Sequence, residues 1–89
     1  MLRITTETER FETTLRLEGR LAGPWVDELD RAWGELHAVR DAGSIRVDLD
    51  GVTYVSPSGK SLLRLIHREG AHLVAGSCMA RGIVEEIES

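Results

Sequence analysis

The chain is poor in the residues that staple or stiffen a fold. Among 89 residues it has one cysteine, two prolines and one tyrosine, and aromatic residues make up 4%. The lone Cys78 excludes an internal disulfide and suits a reducing cytoplasm. In its apolar surroundings it reads as a small buried hydrophobe. No apolar run approaches the ~20 residues a membrane-spanning helix needs. The opening Met1-Leu2-Arg3-Ile4-Thr5-Thr6-Glu7 lacks the apolar centre of a signal peptide, so a cytoplasmic location is expected. Positive charge is also scarce. Eleven Lys and Arg against fifteen Asp and Glu give a net charge of −4 and a pI near 5.3. Phosphate backbones are bound by basic surfaces, which argues against a general nucleic-acid binder. His37, His67 and His72 do not combine with Cys78 in a metal-ligand spacing. No metal and no cofactor is expected.

What is present is ordinary globular patterning. An apolar fraction of 42% in 89 residues suits one modest core, hence a single domain over residues 1–89. Leu2 and Ile4 alternate with polar residues, as do Phe11, Thr13, Leu15 and Leu17. Period two is the signature of a strand, and the polar stretch between the two runs predicts a hairpin. Pro24 stands where a first helical turn welcomes it. Trp25, Leu29, Ala32, Trp33, Leu36 and Val39 then recur at helical spacing, with Gly43 as the expected stop. Packing in the core is expected for both tryptophans. The alternative is an exposed Trp25 that anchors a partner.

Ile45, Val47 and Leu49 predict a strand, and Asp50-Gly51 a turn opening a loop to about Pro57. A second helix follows, with Leu62, Leu63, Leu65 and Ile66 expected inside, stopping at Gly70. Leu73-Val74-Ala75 reads as a short strand. Met79, Ile83, Val84 and Ile87 give a last short helix, weakened by Gly82. The order β-β-α-β-α-β-α implies an α/β fold. We expect a mixed four- to five-stranded sheet with helices packed mainly on one face.

Two short motifs suggest phosphate chemistry. Val47-Asp48-Leu49-Asp50-Gly51 resembles the first motif of haloacid-dehalogenase-type phosphatases, where one aspartate is the nucleophile and the next a general acid. Later carboxylates for Mg²⁺ are required there, and no aspartate follows Asp50. Gly59-Lys60-Ser61 resembles the end of a phosphate-binding P-loop, but Tyr54 stands where that loop needs its first glycine. Neither fragment supports an enzyme.

A longer set of motifs points elsewhere. Leu17-Glu18-Gly19-Arg20-Leu21 precedes the first helix. Val47-Asp48-Leu49-Asp50-Gly51-Val52-Thr53-Tyr54-Val55 leads into Ser56-Pro57-Ser58-Gly59-Lys60-Ser61-Leu62-Leu63, and Gly70-Ala71-His72-Leu73-Val74-Ala75-Gly76 follows. In this order and spacing the chain resembles STAS domains, the family of bacterial anti-sigma factor antagonists, over about residues 2–88. The resemblance implies a protein-binding regulatory module, not an enzyme. Its partner would be a kinase that is also an anti-sigma factor, and a serine would act as the phosphorylation switch. Matched residue by residue, Ser58 falls on the phosphorylated serine, Ser56 on the family's aspartate and Pro57 on its first serine. The partner surface would then comprise Ser56, Pro57, Ser58, Gly59, Lys60, Arg64 and Arg68. The alternative is a non-phosphorylated STAS subunit, in a phospholipid-transport ABC system with an ATPase partner or in a signalling scaffold. A homodimer is compatible with either.

The residues themselves support a switch position. A phosphate on Ser58 would sit at a helix N-terminus, where unpaired N–H groups and the helix dipole favour negative charge. Lys60 lies two residues on. The competing role for Ser58 is a plain helix cap, and Ser56 followed by Pro57 is an equally good cap pair. Lys60, Arg64 and Arg68 recur every four residues, giving one basic helix face in an acidic chain.

Overall fold

The computed structural model describes residues 1–76 and 78–88, with Cys78, Met79 and Glu88 described by backbone alone. The expectation that Cys78 is buried therefore falls outside the described side chains. The strands are β1 (Leu2–Thr8), β2 (Thr13–Leu21), β3 (Ile45–Val55) and β4 (His72–Val74). The helices are α1 (Pro24–Val39), α2 (Pro57–Arg68) and α3 (Cys78–Glu88), with a 3₁₀ turn at Ala42–Ser44. The sheet has the sequential order β1-β2-β3-β4. Strands β1 and β2 pair antiparallel; β2–β3 and β3–β4 pair parallel. The expected mixed α/β architecture is thus present, with four strands.

Leu15, Leu17, Leu21, Ile45, Val47, Leu49 and Val52 point from the sheet into the core, where they meet Leu29, Trp33, Leu62, Leu63 and Ile66. The helices lie side by side, α1 against α2 and α2 against α3. The opposite sheet face is polar. There Arg16 reaches Glu7 at 2.6 Å and Asp48 at 3.6 Å, tying three strands together. An antiparallel or mixed sheet commonly leaves one face to water in this way.

Several local expectations are corrected. Phe11 is 82% exposed in the hairpin loop, because Glu9 N–H donates to Glu12 O at 2.7 Å and closes the turn there. Helix α1 ends at Val39, not Gly43; Gly43 lies in the 3₁₀ turn. Both tryptophans do pack in the core as expected, Trp33 buried and stacked on His37 and Trp25 half-buried against the core cluster. Strand β4 is displaced one residue earlier than expected, to His72–Val74.

The largest correction concerns Asp50-Gly51, which is not a turn. Strand β3 runs on through it to Val55, carrying one extra residue at each of two bulges opposite β2. The carboxylates brace this irregular strand. Asp48 Oδ1 accepts from Asp50 N–H at 2.9 Å, and Asp50 Oδ1 accepts from Gly76 N–H beyond β4. Extending β3 to Val55 delivers Ser56 to the start of α2 beside the end of β2.

Candidate functional site

The site is built where β3 gives way to α2. Ser56 N–H donates to Leu21 O at 2.9 Å, so the end of β2 fixes the point at which the chain leaves the sheet. Pro57 then occupies the first helical position, where its missing N–H is no loss and its fixed φ suits the helix. Ser56 is the N-cap: its Oγ accepts from Gly59 N–H at 3.1 Å, and its carbonyl accepts from Lys60 N–H at 2.9 Å. Among the described residues, this leaves Ser58 N–H as the first-turn donor without an acceptor.

Ser58 is therefore not the cap. It is exposed at the second helical position, with its Oγ 3.1 Å from Ser56 Oγ. Of the two cap assignments open from sequence, the structure selects Ser56. Ser56→Ala is expected to cost about 1 kcal/mol, the usual worth of a serine cap, while Ser58→Ala leaves stability nearly unchanged. Thermal unfolding of the two variants checks this contrast.

Gly59 anchors the turn from the inside. It is buried, and a Cβ there would lie 2.9 Å from Leu21 O and 3.0 Å from both Leu21 Cγ and Val55 Cγ1. Only glycine lets the first turn of α2 rest on the ends of β2 and β3. Ser58 is presented outward because its neighbour is pressed inward.

The basic face is only partly as expected. Lys60 is held by Glu86 of α3 at 2.9 Å, so it is not a free cation beside Ser58. Helical geometry gives the same answer, since residues two apart do not face each other. Arg64 and Arg68 form no ion pair among the described residues, and Arg68 is exposed. The acidic partner of Lys60 carries no local sequence signal, because Glu86 is 26 positions away in sequence.

Contrary to the expectation that it joins Leu62, Leu63 and Ile66 inside, Leu65 is 46% exposed. The helix rests on Gly59, Leu62, Leu63 and Ile66, which turns Leu65 towards solvent. On the open sheet face, level with the start of α2, Arg20 lies over the Tyr54 ring at 4.6 Å, a contact no local sequence signal announces.

The P-loop comparison fails on this geometry. The stretch before Ser56 is strand, not a phosphate-cradling loop, and Gly59 N–H and Lys60 Nζ are both occupied within the chain.

No family model matches the sequence, and no curated protein matches it. Solved structures do. One is the anti-sigma factor antagonist SpoIIAA in its unphosphorylated form, with a TM-score of 0.68 and 16% identity over 93% of this chain and 82% of that one. Another is Mglu, with a TM-score of 0.61 and 18% identity over 82% of this chain but 19% of Mglu, so the chain spans about a fifth of that protein. The fold is thus a small STAS-like α/β domain. At the level of architecture, this chain is built like SpoIIAA.

Proposed function

We propose that the chain is a protein-binding regulatory module of the anti-sigma factor antagonist kind, with the start of α2 as its docking point and Ser58 as a phosphorylation switch. The observation that carries this reading is the exposed Ser58 hydroxyl at the second position of α2, on a turn rigidly seated by the Ser56 cap and the buried Gly59. The partner is a kinase that also acts as an anti-sigma factor. It contacts Ser56, Pro57 and Ser58, with Arg64 and Arg68 further along the helix.

A phosphoserine at position 58 adds roughly −1.5 to −2 charges next to a free N–H at a helix N-terminus. The fold tolerates this charge, so the modification acts on the partner's surface. The test is complex formation with purified anti-sigma kinases, read by calorimetry. A micromolar or tighter complex is expected, and absence of binding across such kinases rejects the reading.

A second reading rests on Ser56 and Pro57 standing where the family has an aspartate and a serine. In it the same turn docks on the ATPase of a phospholipid-transport system, or in a scaffold, with no phosphorylation. Co-purification with such an ATPase, not with a kinase, separates the two.

A further inference from the structure

We infer that the outer surface of the α1–α2 layer is a self-complementary interface, through which two copies of this chain form a weak, salt-sensitive two-fold dimer. The inference rests on how charge is divided between the two helices. Helix α1 carries four carboxylates and one arginine; α2 carries three cations and no carboxylate. The pairs formed within the chain do not cancel this division. Arg31 is taken by Glu28 at 3.6 Å and Lys60 by Glu86. Asp27, Asp30 and Glu35 on α1, and Arg64 and Arg68 on α2, form no ion pair among the described residues.

The two faces lie side by side and level. Leu21 pairs with Val55 at the ends of β2 and β3. Helix α1 starts three residues after Leu21 and α2 two residues after Val55, each with proline first. Both helices therefore run the same way from the same height. At a rise of about 1.5 Å per residue, Asp30 is within one residue of the level of Arg64, Arg31 with its Glu28 partner lies at that level, and Glu35 stands level with Arg68.

A two-fold axis parallel to the helices and lying in the outer surface sets α1 of one copy over α2 of the other, in parallel. Each acidic helix then faces a basic one twice over, as an isologous contact requires. Exposed Leu65 supplies an apolar centre on α2, and exposed Gly34, with nothing within 4 Å of its Cβ position, lets the helices approach.

Two helices of these lengths present on the order of 400 Å². That is below the ~800 Å² per partner of a standard stable interface, so a dissociation constant on the order of 100 μM at low salt is expected.

The geometry gives a test that needs no other protein. Sedimentation equilibrium from ~10 μM to ~1 mM chain in ~20 mM salt reads the dimer, and ~0.5 M salt should weaken it tenfold or more. Arg64→Glu with Arg68→Glu makes both helices acidic, and Asp30→Lys with Glu35→Lys makes both basic at the contact. Each double variant alone should dimerise at least tenfold more weakly, and an equimolar mixture should recover a heterodimer, since every facing pair is opposite again. Circular dichroism establishes that the variants are folded. Wild-type protein that stays monomeric at ~1 mM, dimers indifferent to either reversal, or a mixture that stays monomeric each overturn the inference.

Discussion

Gly59→Ala is expected to destabilise the protein by about 2 kcal/mol, although helix propensity alone would favour alanine by about 1 kcal/mol. The steric term wins because one of the atoms facing the new methyl is a backbone oxygen. Leu21 O would lie 2.9 Å from it, and that oxygen already accepts from Ser56 N–H. Relief requires lifting the first turn of α2 away from β2, which strains the bond that seats the site. Gly34→Ala is the control. It lies within α1, where an added Cβ meets nothing within 4 Å, so propensity acts unopposed and the variant is stabilised by up to about 1 kcal/mol. Urea denaturation of the two variants should move the midpoint in opposite directions. A shift of the same sign in both would mean that α2 is not seated on β2 and β3 as described.

The second large effect is on binding. If the chain works as proposed, Ser58→Asp is expected to weaken the complex with its anti-sigma kinase partner by at least about a hundredfold, roughly 3 kcal/mol. Folding stability should stay level or rise by about 0.3–1 kcal/mol, because an acid in the first turn suits the helix dipole. Opposite directions for binding and stability are the signature of a surface switch. Loss of both would make Ser58 a structural residue, and loss of neither would place the contact elsewhere. Ser58→Ala removes the acceptor hydroxyl without adding charge, and should leave the affinity within a few-fold of wild type.

Much of the fold was legible because its strands and helices keep their periods. Leu15 and Leu17 alternate with Thr14 and Arg16, and all four take the faces that alternation assigns. Local pattern and structure part where the period is broken for a physical reason. The bulges in β3 interrupt the alternation at Asp50-Gly51, and a bulge with a glycine in it looks like a turn when only local residues are considered. Phe11 continues the pattern of β2 by one step, but the hairpin closes before reaching it. Leu65 sits three residues from Leu62 and shares its chemistry, yet burial of Gly59 rolls the helix so that Leu65 faces outward.

The candidate site divides in the same manner. The positions of Ser56, Pro57 and Ser58 at a helix start follow from local rules of capping. The choice of Ser56 as the cap depends on where the chain leaves the sheet, and the pairing of Lys60 with Glu86 depends on how α3 returns across α2. Both are consequences of packing between distant segments, which no short motif encodes.

The central claim is that Ser58, held out by a capped and buried turn, is the phosphate acceptor of a regulatory module. Site mapping by tandem mass spectrometry after incubation with an anti-sigma kinase and ATP tests it most directly. The account predicts a single phosphoryl group on Ser58, retained in Ser61→Ala and absent from Ser58→Ala. Phosphate on Ser56 or Ser61, or an unmodified chain bound in a stable complex with the active kinase, would contradict it.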